Sequence, residues 1–237
     1  MRPPDPADAL LSAEGLAAGH GDVQVCAPVT VRVIPGRAVA LVGPNGVGKS
    51  TVLQTMVGLL PALGGEVRFL GRPVDERQAT FRRAVASVLD DDVFFPSLTA
   101  REHLLLTARG HGVVDPESTV EAELDAFGLS DRADALPSAL SSGQRRRLAL
   151  AAAFVRPARV MVLDEPERRL DVDMRRSLAG RLAQARAAGL GVLMASHDAE
   201  FVRTVADDVL LVAEDECRLL DPAAPGPAAS DPAVSGL

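Results

Sequence analysis

Gly43-Pro44-Asn45-Gly46-Val47-Gly48-Lys49-Ser50-Thr51 is the stretch that decides how this chain folds. The apolar run before it, Ala38-Val39-Ala40-Leu41-Val42, has the length and composition of a buried strand. The residues after it, Val52 to Leu60, read as a helix. Strand, glycine-rich loop and helix in that order form a phosphate-binding loop. The glycines let backbone N–H groups close around an anion, and the helix adds its positive end. In such a loop Lys49 reaches the β- and γ-phosphates and Ser50 ligates Mg²⁺. A chance match in a tight turn would lack the flanking strand and helix.

The bulk composition bounds the rest. At 237 residues the chain has room for one α/β domain with an insertion. Its net charge of −7 argues against nucleic acid as a partner, since phosphate neutralisation needs a basic face. With no Trp or Tyr and only 7 Phe, a base-stacking platform is not expected either. No apolar run approaches the ~20 residues a membrane helix needs. Met1 to Pro6 lacks the apolar core of a signal peptide. The expected place is the cytoplasm, with any membrane contact made through a partner. Cys26 and Cys217 lie far apart without metal spacing and read as buried free thiols.

Along the chain, residues 1–9 are Pro-rich and expected to be disordered. Strands and turns follow from Leu10 to Val42. Val29 to Ile34 alternates as a half-buried antiparallel strand does, and Pro35-Gly36 is a turn. Glu66 to Leu70 and Val85 to Leu89 read as further strands. Residues 93–157 have a different texture. Thr99-Ala100-Arg101-Glu102 has capping-box spacing and opens a helix to Ala108. Helices are also expected over 116–127, 131–136 and 145–155, so this segment reads as a helical insertion. The core then resumes with Arg159 to Glu165, helix 172–188, strand 191–195, helix 198–206 and strand 208–213. Alternating strands and helices predict a mostly parallel sheet with helices on both faces. From Asp221 the composition is that of a disordered tail.

Asp164 and Glu165 end an apolar strand. Ligands of open α/β sheets sit beyond the carboxyl ends of strands, so both acids are expected beside the loop. Asp164 would hold Mg²⁺ and Glu165 would polarise a water for attack on the γ-phosphate. Alone, the pair could equally cap the next helix. His197 follows strand 191–195; it reads either as a helix-opening surface residue or as a partner of the γ-phosphate and the water. Leu140-Ser141-Ser142-Gly143-Gln144 reads as an N-cap or as a second anion site at a helix N-terminus. The following Arg145-Arg146-Arg147 reads as a solvated helix face rather than as a phosphate clamp.

The order of these segments, completed by Leu170-Asp171 and Ser196-His197-Asp198, resembles the ATP-binding cassette (ABC) ATPases over about residues 10–220. The resemblance implies a P-loop NTPase core, an N-terminal antiparallel β subdomain and a helical insertion. It makes Gly43 to Thr51 the Walker A loop and Val160 to Glu165 the Walker B strand. It makes Glu165 the catalytic glutamate, His197 the switch histidine and Asp171 the D-loop aspartate. His20 falls where the family places an aromatic on adenine. Ser141, Ser142, Gly143 and Gln144 match the signature that contacts ATP held by an opposite subunit. Asp90 aligns with the family's Mg²⁺-contacting glutamine, and a carboxylate can still ligate the ion. Ser142 replaces a signature glycine, and Arg168-Arg169 replace the Ser-Ala of the D-loop.

The activity so implied is hydrolysis of ATP, with Mg²⁺, by a dimer of cassettes. The partners would be a second ABC ATPase subunit, of the same or a different chain, and a transmembrane permease on whose cytoplasmic side the chain sits. Two alternatives stay open: a slow ATP-binding partner in an unlike pair, and a soluble ABC protein of cofactor assembly.

Overall fold

The computed structural model of the protein describes residues 9–89 and 94–220. The expectations for residues 1–8, for Asp90 and for the tail from 221 lie outside the described residues. Ala9, grouped above with the disordered start, is buried.

The N-terminal part is β structure: β1 (Leu11–Ala17), the short hairpin β2 (Gly19–His20) and β3 (Val23–Gln24), then β4 (Val29–Val33). β4 alternates buried and exposed residues, as its sequence predicts. β5 (Ala38–Val42) enters the glycine-rich loop and α1 (Lys49–Met56) leaves it. β6 (Gly64–Phe69), β7 (Arg72–Pro73), α2 (Ala79–Ala84) and β8 (Val85–Val88) follow. The insertion carries α3 (Ala100–Gly110), α4 (Pro116–Ala126) and α5 (Ser142–Phe154). β9 (Val160–Asp164), α6 (Val172–Ala187), β10 (Gly191–Ala195), α7 (Ala199–Val205), β11 (Asp208–Val212) and β12 (Cys217–Leu220) complete the core.

Two main sheets result. The antiparallel one has the order β4-β1-β6-β7. The other has the order β12-β11-β5-β10-β9-β8, parallel except for β12. This is the mostly parallel core with an antiparallel subdomain. Side-chain alternation along its central strands feeds both faces. Ala38, Ala40, Met161, Leu163, Val192 and Met194 join the core shared with the insertion, whereas Val39, Leu41, Val160, Val162, Leu193 and Ala195 face α1 and the antiparallel sheet. Burial on both faces explains why these strands read as unbroken apolar runs. Among the described residues, no helix is long and apolar enough to cross a membrane.

Several boundaries differ from the sequence reading. α1 stops at Met56 because Gly58 turns left-handed (φ 82°) and sends its amide to Thr55 O. The stretch 131–136 is not one helix: 3₁₀ turns form at Ser130–Arg132 and Pro137–Ala139, and Leu136 is extended as the residue before a proline must be. α5 starts three residues earlier than Arg145, because Ser141 and Gln144 close a reciprocal capping box. Across the insertion, Arg181 of α6 pairs with the carboxylate of Glu123 at 2.6 Å and lies over the rings of Phe127 and Phe154. That contact ties the helices to the core.

Candidate functional site

Strand register assembles the site. Ala195 is level with Asp164 on one side and with Leu41 on the other. The glycine-rich loop after β5, Glu165 after β9 and Ser196-His197 after β10 therefore emerge side by side at one sheet edge. Glu165 N donates to Ala195 O at 2.9 Å, which locks two of these turns together.

The loop needs its glycines. Gly43 has φ 148°, and a Cβ there would stand 2.2 Å from Val212 O. Gly48 caps α1 with φ 102°, and a Cβ would meet Val25 Cγ2 at 2.3 Å. Gly43→Ala is expected to destabilise the fold by about 3 kcal/mol, read from urea unfolding, and to weaken nucleotide binding with it.

Lys49 is 7% exposed, and its ammonium donates to Gly43 O at 2.7 Å and Pro44 O at 2.9 Å. Burial pushes its pKa down, while the carboxylates of Glu165 and Asp164 act in the opposite direction. Ser50 is exposed at the first turn of α1, and Thr51 Oγ1 lies 3.2 Å from His20 Nε2. His20 is thus brought to the loop, on the β2–β3 hairpin.

Glu165 holds an unusual backbone (φ 44°) for a non-glycine residue. One carboxylate oxygen is 3.3 Å from His197 Nδ1, and the other is 3.6 Å from an Arg168 nitrogen. Behind it, the buried Arg146 donates to the carbonyls of Asp164 and Glu165, the latter at 3.0 Å. The arginine run is therefore not a solvated face. Arg145 donates to Leu140 O at 2.7 Å, and Arg147 pairs with Asp171 at 2.5 Å. Arg146 lies four residues before buried Leu150, so helical spacing was the available signal for its burial.

The signature residues occupy another place. Ser141 and Gln144 spend their side chains on the cap of α5, and Ser141 and Ser142 are exposed. A Cβ on Gly143 would come within 2.9 Å of Arg169 O, so signature helix and D-loop touch backbone to backbone. Arg169 itself is left-handed at φ 63°. Asp171 caps α6 through Met174 N at 2.9 Å. His197 does not cap α7: Asp198 does, accepting from Glu200 N and Phe201 N at 3.0 Å.

Those backbone bonds, the Phe201 amide first, hold the Asp198 carboxyl below its ordinary 3.8, and Arg175 adds to the effect. The cap is fully stabilising above that ordinary value and is lost as the pH falls through the depressed folded value. Asp198→Ala should cost about 1 kcal/mol near neutral pH. The gap to wild type should close as urea midpoints are followed from pH 5 downwards.

The two cysteines are both free. Cys26 is buried, and burial together with the neighbouring Cys217 pushes its thiol up to about 11. Cys217, expected to be buried, is only half-buried and donates to Ala27 O at 3.3 Å.

The cradle suits a polyphosphate with Mg²⁺. It offers a glycine loop, a buried ammonium that donates to two backbone carbonyls, a hydroxyl at Ser50 and a carboxylate at Asp164. Among the described residues, no group of three or more His, Cys, Asp or Glu could hold a metal alone.

Fold and loop together define a P-loop α/β domain. The chain belongs to the ABC transporter family, whose model matches residues 26–168. It is 35% identical to the SkfA peptide export ATP-binding protein SkfE of Bacillus subtilis, over 75% of this chain and 74% of that one. It is 36% identical to a putative ABC transporter ATP-binding protein of Streptomyces coelicolor, over 88% of this chain and 81% of that one. It spans 61% of the length of an uncharacterized ABC transporter ATP-binding protein of Sinorhizobium fredii, at 32% identity over 87% of this chain. A solved structure of the ATP binding subunit of an ABC transporter superposes with a TM-score of 0.81, at 28% identity over 90% of both chains.

Proposed function

We propose that the chain is the ATP-hydrolysing subunit of an ABC transporter and couples ATP turnover to solute movement through a separate membrane protein. The observation that carries this reading is Glu165, level with the phosphate loop and in contact with His197 at 3.3 Å. A carboxylate there accepts a proton from an attacking water, and the imidazole orients that water and the γ-phosphate. Lys49 would neutralise phosphate charge, and Ser50 and Asp164 would hold Mg²⁺, which would supply further neutralisation.

The places of the exposed parts support a dimer. Pro44, Asn45 and Gly46 of the loop and Ser141 and Ser142 of the signature are all exposed. ATP on the loop of one subunit would be covered by the signature of another, with His20 against the adenine. The second subunit is either the same chain or an unlike cassette. A permease would hold the pair at the cytoplasmic face of the membrane; the solved cbiO1 of Clostridium perfringens, part of the transporter complex cbiONQ, is similar at 25% identity with a TM-score of 0.73.

Arg168 favours a second reading. Its guanidinium is 3.6 Å from Glu165 and competes for the carboxylate that would take the proton. In that reading the chain binds ATP as a slow partner of a faster cassette. Light scattering with Mg²⁺ and a non-hydrolysable ATP analogue tests the pairing: a doubled mass supports a self-sufficient dimer, and a monomer with analogue bound supports an unlike partner.

A further inference from the structure

Glu167 is a buried acid that the chemistry above leaves unused. It lies two residues beyond Glu165 in the turn after β9, and it is 4% exposed. Ser196, 1% exposed at the end of β10, donates its hydroxyl to Glu167 Oε1 at 2.5 Å. The same Ser196 oxygen accepts the Asp198 amide at 3.1 Å. Among the described residues, Glu167 Oε2 is buried without a hydrogen-bond partner.

One carboxylate oxygen thereby holds both sides of the Ser196-His197-Asp198 loop, Ser196 directly and Asp198 through it. The residue between them is His197. Other anchors of this loop are Ser196 N on Leu41 O at 3.3 Å and Arg175 on Asp198 at 3.3 Å. Neither of these ties the loop to the turn that carries Glu165. The backbone bond from Glu165 N to Ala195 O does so just before the loop, and Glu167 does so from within it through Ser196. A buried acid is costly, and burial pushes this carboxyl upwards. An apolar residue would fill the same space at lower cost but could not accept from Ser196.

We infer that Glu167 is a positioning residue, which fixes His197 on Glu165 by clamping Ser196. The inference rests on the proposed roles of Glu165 and His197. It predicts a loss in kcat rather than in ATP binding, because the phosphate loop has its own anchors.

The test uses the full chain with Glu167→Ala, Glu167→Gln, Ser196→Ala and the Glu167→Ala/Ser196→Ala double variant. Glu167→Ala should lower kcat about tenfold and leave the ATP dissociation constant within about twofold. Glu167→Gln, which keeps an acceptor oxygen, should restore most of the rate. Ser196→Ala should match Glu167→Ala, and the double variant should be no slower than the slower single one. An unchanged kcat in Glu167→Ala, or rate losses that multiply in the double variant, would overturn the inference. The ¹⁵N signals of the His197 ring give a readout without turnover. They should shift in Glu167→Ala and return in Glu167→Gln; signals unmoved in every variant refute the clamp. Wild type without turnover would instead defeat the catalytic reading, and the ring signals would still judge the clamp. Should Glu167→Ala fail to fold, Ser196→Ala and Glu167→Gln carry the same comparison.

Discussion

Lys49→Ala raises the ATP dissociation constant by at least about a hundredfold. The magnitude follows from two charge-assisted hydrogen bonds to phosphate at about 1.5 kcal/mol or more each, and 1.4 kcal/mol is a factor of ten. The side chain is placed for that role. It is buried, so little water screens it, and the carboxylates of Asp164 and Glu165 oppose the loss of its charge. It also staples the loop shut through Gly43 O and Pro44 O, so removing it loosens the cradle as well. Calorimetric titration with Mg²⁺-ATP, beside a thermal melt to confirm the fold, measures the effect. An unaltered affinity in a folded variant would remove the loop from the nucleotide site.

Glu165→Gln separates chemistry from binding. The amide keeps the size and one acceptor oxygen of the carboxylate but cannot take a proton from water. Loss of a positioned general base costs about 10²–10⁴ in rate. Turnover is expected to fall by that factor with ATP affinity intact, and sizing with Mg²⁺-ATP should show a trapped dimer. The backbone of residue 165 should tolerate the change, because φ 44° is fixed by Arg146 on its carbonyl and Ala195 on its amide, not by the side chain. Persistent turnover would mean that another group takes the proton.

How much of this was legible in the sequence depended on how local each signal was. β5, the glycine loop and the cap of Thr99 on α3 are short-range patterns, and each stands where the residues predict. The Walker B acids and His197 could be placed because parallel strands put their carboxyl ends at one edge. α2 has only one buried side chain, Phe81, and too few residues to show a helical period. β12 exists because β11 offers it an edge, which no feature of Cys217 to Leu220 announces. Glu167 was out of reach for the same reason: a charged residue reads as solvated until the group that pairs it is known, and Ser196 is 29 residues away. Arg146 offered only its helical spacing to Leu150.

Phosphate release from Mg²⁺-ATP by the purified wild-type chain, followed over a range of chain concentrations, tests the central claim most directly. Hydrolysis by two copies that complete each other's sites predicts turnover whose rate per chain rises with chain concentration and then levels off. ATP bound with no phosphate released at any concentration would contradict that account and leave the chain as a nucleotide clamp for an unlike partner.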